Sequence, residues 1–256
     1  MNTIKFSKDK IYSGNLLLVN LRHRIRSGTS MDLIPADTQL PGVLLRRDAA
    51  NALRIILDEI SAGSAIVPVS GYRSAAEQKS IYDGSLKDNG EEFTRKFVAP
   101  PHHSEHQTGL AIDLGLNKEN IDFIRPDFPY EGICNAFRKI APDYGFIERY
   151  PNKKEHITGI AHEPWHFRYV GYPHSEIMKE KSLVLEEYID FIKRYTRDGN
   201  HLRVCKNRKT IEIFYVAADK SEAVTITVPK KTLCQVSGNN VDGFIVTVWR
   251  SNDEKS

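Results

Sequence analysis

Ala49, Leu53, Ile56, Leu57 and Ile60 recur at the three-to-four-residue spacing of a helix that Ala62-Gly63 brings to an end. The apolar run Asn15 to Asn20 reads as a strand leading into a basic turn, and Ala65 to Ser70 reads as a second, broken at Gly71-Tyr72-Arg73. Ser74 can cap a helix running through Gln78 and Ile81 to a stop at Asp83-Gly84, and Pro100-Pro101 then imposes an irregular loop. From Thr108 to Leu116 the pattern alternates: Leu110, Ile112 and Leu114 point to a core, while Gly109, Ala111 and Asp113 form an open face of small side chains ending in a carboxylate. Glu131 to Ala141 is helical and closed by Pro142 and Gly145; Trp165 to Val170 is strand; Pro173 opens a long helix to about Tyr195. After the linker-like Arg197-Asp198-Gly199-Asn200, the runs Ile211 to Val216, Val224 to Val228 and Phe244 to Trp249 are β-branched or aromatic, with turn residues between them. The pattern predicts a main domain over residues 1–197 and a small β appendage over 198–256.

Composition narrows the class of protein. A chain of 256 residues with 40% hydrophobic and 27% charged residues can bury a full core as a globular protein. Its net charge of +3 is too small to imply a nucleic-acid partner, and the basic cluster Arg22 to Arg26 has no interleaved aromatics, as expected of a solvated face. The run Leu16 to Val19 is far too short to cross a bilayer, and the N-terminus lacks a signal-peptide pattern, so a cytoplasmic protein without membrane insertion is expected. Cys134, Cys205 and Cys234 form no metal-type cluster; Cys134 is expected in the core and the other two as free thiols.

The chemistry concentrates in two segments, Ser104 to Asp113 and Glu163 to His166. His106 stands at the entry of the alternating strand and Asp113 on its open face, while His166 begins another strand. If those strands are neighbours, two imidazoles and a carboxylate converge on one zinc, and Glu163 reaches the water in its fourth position. His162-Glu163-Pro164-Trp165-His166 also matches the H-E-x-x-H string, in which two histidines one helical turn apart bind zinc. Pro164 and the strand-forming Phe167-Arg168-Tyr169-Val170 argue against that helix.

These motifs, with Gly71-Tyr72-Arg73-Ser74, Tyr144-Gly145-Phe146 and Thr158-Gly159-Ile160, resemble the zinc D-alanyl-D-alanine peptidases of the VanX, VanY and VanXY type. The resemblance covers roughly residues 12–175. It implies an α+β fold with a central antiparallel sheet flanked by helices, zinc on His106, Asp113 and His166, and Glu163 as general base and then acid. It further implies that Arg73 faces the substrate carbonyl, that Gln78 helps hold the peptide, and that Ser104 lies near the terminal carboxylate. A salt bridge for Arg73 and loop capping for Gln78 and Ser104 are the structural alternatives. His102 and His103, where relatives carry smaller residues, are expected outside the metal shell. Lack of an anchor is closest to the VanXY branch, which cleaves D-Ala-D-Ala dipeptide and muramyl pentapeptide precursors and so protects cells from vancomycin. An L,D-carboxypeptidase trimming tetrapeptides, or a non-catalytic wall-peptide-binding module, are the alternatives; in the latter the appendage serves wall binding or a homodimer.

Overall fold

Leu110, Ile112 and Leu114 are fully buried, as their alternation requires, in one apolar cluster with Ala49, Ala50, Leu53 and Ile56 of the first long helix and Phe137 of a later one. The computed structural model that shows this describes residues 2–26, 31–206, 209–218, 223–228 and 232–251. Strands run in the order β1 (Asn2–Ser7), β2 (Leu33–Pro35), β3 (Leu44–Arg46), β4 (Ile66–Ser70), β5 (Ala111–Leu116), β6 (Phe146–Tyr150) and β7 (Glu163–Tyr169). They continue with β8 (Leu202–Lys206), β9 (Lys209–Ala217), β10 (Ala223–Val228), β11 (Leu233–Gly238) and β12 (Gly243–Ser251). Helices are α1 (Arg47–Glu59), α2 (Ala75–Phe97), α3 (Gly132–Ile140), α4 (Glu155–Thr158), α5 (His174–Glu180) and α6 (Leu185–Ile192).

The chain divides into two compact units, residues 19–184 and residues 1–18 together with 185–256. In the first, an antiparallel sheet of order β4-β5-β7-β6 carries the open face of β5, and the hairpin β2-β3 leads into α1. In the second, β1 pairs with β10 and a four-stranded sheet runs β11-β12-β9-β8, all antiparallel. Its core joins Ile11 to Phe214, Ile226, Phe244 and Val246. This division differs from the boundary expected at 197/198. The first strand belongs with the C-terminal sheets because all six of its residues pair with β10, and Arg197 N–H donates to Tyr215 O at 3.0 Å, a turn inside the unit rather than a linker.

Three elements depart from the sequence pattern. Asn15 to Asn20 is not a strand: Leu16 N–H donates to Ser237 Oγ at 2.9 Å and Leu18 N–H to Asn239 O at 3.1 Å, so the buried run satisfies its backbone without a ladder. Helix α2 passes through Gly84, where Lys79 pairs with Asp83 one turn on at 2.5 Å, and breaks instead at Gly90, whose φ is 80°. The helix expected from Pro173 to Tyr195 is two helices. Ser182 takes a φ of 52°, with Ser182 N–H donating to Lys179 O and Leu183 N–H to Met178 O, a left-handed stop that ends α5 before α6 begins.

Candidate metal centre

A short 3-10 turn, Glu105–Thr108, carries His106, and Gly109 closes it with a φ of 67°. Glycine suits that position, because a Cβ would lie 2.8 Å from Leu33 Cδ2 in a conformation that L side chains rarely adopt. His106 Nδ1 donates to Gly71 O at 2.7 Å, which fixes the tautomer and leaves Nε2 as the free lone pair, 3.2 Å from Asp113 Oδ2. Asp113 and His166 are cross-strand partners of β5 and β7, and His166 Nδ1 lies 2.9 Å from Asp113 Oδ1. One donor atom from each of His106, Asp113 and His166 lies within 4.8 Å of the others, and all three residues are buried.

Glu163 reaches the same face through an irregularity. In a regular strand, residues three apart point to opposite sides. Between the pairs Glu148↔Phe167 and Tyr150↔Glu163, β7 spends four residues against two of β6, and this register shift brings Glu163 Oε2 to 3.7 Å from His166 Nδ1. Pro164, which has no N–H for the ladder, sits within the shift. His162, in contrast, lies just before β7, with Nε2 2.7 Å from the Tyr130 hydroxyl. The segment 163–169 is strand, so the helical H-E-x-x-H reading is excluded.

The donor set fits a divalent ion. Two imidazoles and a carboxylate are the ligand types of a catalytic zinc centre, His106 is held by a backbone carbonyl, and the pocket meets the three donors. Burial, with the Arg73 charge, pushes the His106 pKa down to about 4, so the ring is neutral and able to ligate. Burial acts against a charged His166, but its hydrogen bond with Asp113, the facing Glu105 carboxylate and the other nearby acids outweigh that and raise it to about 9. Asp113, despite burial, is held far below the usual carboxylate range by His106 and His166. Burial raises Glu163 to about 8, with Asp113 adding to the shift. A double positive charge among these groups favours the ionised acids and neutral rings.

Arg73 is fixed by three neighbours. Its Nε donates to Ser70 Oγ at 2.7 Å, Nη2 to Asp113 Oδ2 at 2.9 Å, and Nη1 only distantly to Gln78 Oε1 at 3.4 Å. The salt bridge weighed from sequence therefore exists, and it is made to the carboxylate of the donor cluster. Gln78 is buried on the pocket wall, and its Nε2 donates to Ala99 O at 2.7 Å. Ser104 also lines the pocket, and its side chain does not cap the turn that follows. His103 Nδ1 meets Asn20 O at 2.8 Å and His102 is exposed; neither belongs to the donor cluster. Sequence reasoning missed Glu105, Arg149 and Arg168, three buried charged groups linked to His166 through Glu105. The available signal was Arg168, which shares a strand face with His166 two residues earlier and, as a buried cation, needs an acid.

The profile of the D-alanyl-D-alanine carboxypeptidase family VanY matches residues 42–172. A D-alanyl-D-alanine carboxypeptidase of Enterococcus faecium is 35% identical over 95% of this chain and 78% of that protein. The chain belongs to the VanY family of D-alanyl-D-alanine carboxypeptidases. Another relative, the bifunctional D-Ala-D-Ala dipeptidase and D-Ala-D-Ala carboxypeptidase VanXYC of Enterococcus gallinarum, is 40% identical over 71% of this chain and 97% of that protein. The solved structure of the vancomycin-resistance D,D-dipeptidase VanXYg, in complex with a D-Ala-D-Ala phosphinate analog, superposes with a TM-score of 0.95. It is 61% identical and covers 97% of this chain and 99% of that one. Among the described residues, no helix is long and apolar enough to cross a membrane.

Proposed function

We propose that the protein is a zinc D,D-peptidase that hydrolyses D-Ala-D-Ala and removes the terminal D-Ala of muramyl pentapeptide precursors. Clearing those ends in the cytoplasm would contribute to vancomycin resistance. One observation carries the reading: a His-Asp-His donor cluster opens on a pocket whose wall holds a further, buried carboxyl, Glu163. The named relatives support the substrate class.

A zinc ion held by His106, Asp113 and His166 would polarise the scissile carbonyl and acidify a ligated water. Glu163 takes a proton from the attacking water on a carboxylate oxygen and returns it to the nitrogen of the departing D-alanine. A dry carboxyl whose pKa lies near the working pH suits a group that must act first as base and then as acid. Arg73 offers Nη1, its least engaged nitrogen, to the carbonyl oxygen as negative charge builds there. Gln78 holds the Ala99 segment of the pocket wall in place, so its contribution to peptide binding runs through that segment. Ser104 supplies a hydroxyl for the terminal carboxylate.

The test is D-alanine release by zinc-loaded enzyme from the dipeptide, from the muramyl pentapeptide, and from a tetrapeptide ending in an L,D bond. Release from the first two, abolished by chelator and restored by zinc, is expected. Turnover of the tetrapeptide alone would replace this function with L,D-trimming. Zinc and peptide binding without any turnover would leave a binding module.

A further inference from the structure

Glu105 is 1% exposed and lies beside His166 in the lining of the pocket, where no step of the proposed reaction uses it. Its Oε1 accepts from Arg149 Nε at 2.9 Å and from Arg168 Nη1 at 2.7 Å, and both arginines are 0% exposed. Both cations converge on one oxygen. The other, Oε2, has no hydrogen-bond partner among the described residues and lies 3.7 Å from His166 Nε2, which has none either. Two buried, unsatisfied polar atoms thus face each other on groups of matching chemistry, a carboxyl oxygen and a ring nitrogen.

We propose that Glu105 is the positioning residue of His166: it accepts the Nε2–H and thereby holds the Nδ1 lone pair toward the metal. A shift of roughly 0.8 Å converts the observed separation into an ordinary hydrogen bond. His166 Nδ1 already lies on the metal side, 2.9 Å from Asp113 Oδ1. Arg149 and Arg168 anchor the carboxyl through Oε1, which leaves Oε2 to accept. A carboxylate behind a ligating imidazole fixes the ring and raises its basicity. Gly71 O does the equivalent work for His106, so each imidazole has its own anchor. Glu105 serving solely to neutralise two buried arginines is the competing account, and it does not explain why Oε2 is aimed at His166.

The inference rests on the proposed reading that a metal binds here, and the experiment separates the two. Zinc dissociation constants of wild type and Glu105→Gln are measured by competition with a chromogenic chelator, alongside thermal midpoints with and without zinc. The variant is expected to bind zinc 10–100-fold more weakly, and to gain less thermal stability from zinc than wild type. An unchanged dissociation constant with a lowered metal-free midpoint would overturn the positioning role and leave the proposed function intact. Wild type that binds no zinc would overturn both. If the variant does not fold, nitrogen-15 spectra of the zinc-loaded wild type decide: a ligated Nδ1 and an exchange-protected Nε2–H on His166 are expected. Ligation through Nε2, or rapid exchange of that proton, would sink the inference.

Discussion

A carboxyl as dry as Glu163 has one chemical advantage over a solvated acid: its proton affinity can be set by its neighbours rather than by water. Burial lifts it to about 8, and a nearby cation draws it back toward ionisation. Replacing Glu163 with alanine should therefore lower kcat by about 10²–10⁴, while metal analysis finds the same zinc content as in wild type. Loss of the metal together with activity would instead mark Glu163 as a ligand. At this scale the cluster of His106, Asp113 and His166 was readable because its residues sit in two short strings of unusual composition. Glu105 was not, because its meaning lies in partners 44 and 63 residues away in sequence, and an acid beside a histidine is uninformative until both arginines are placed.

Periodicity served where an element has one buried face. The helical spacing of α1 and the alternation of β5 both met their cores, and the open face of β5 carries the site. It failed where a local backbone choice overrides the pattern. Gly84 was read as a stop, yet helix costs a glycine only about 1 kcal/mol relative to alanine, too little to end a helix that has other support. The left-handed break at Ser182 carries no glycine to announce it. The register shift in β7 was equally hidden, although Glu163 and His166 depend on it to share a face. The turn ending at Gly109 is the most exacting local feature. Gly109→Ala should cost about 1–3 kcal/mol of stability for its left-handed backbone alone, read by denaturant unfolding. Because the same turn positions His106, the substitution should also weaken zinc binding; an unchanged midpoint would show that the turn relaxes freely.

Over the whole molecule, acid sensitivity should have an origin outside the metal centre. His174, at the start of α5, is 3% exposed, and burial pushes its pKa down from 6.5 to about 3. Between those values the unfolded chain binds a proton that the folded chain refuses, so stability falls as pH drops below about 6.5 and levels off near 3. The slope from this group approaches about 1.4 kcal/mol per pH unit. Stability curves of His174→Gln should be shallower than wild type between pH 6 and 4.5, and parallel curves would show that another group controls acid unfolding. The division of the molecule was only half legible: three strands of the C-terminal unit stood out as β-branched runs, but nothing in Asn2–Ser7 announces that its partner is Ala223–Val228. That pairing has a consequence for biosynthesis. A ribosome makes the first strand more than 200 residues before its partner, so Asn2–Ser7 must wait, unpartnered, until Ala223–Val228 emerges, while residues 19–184 can already condense around their own core.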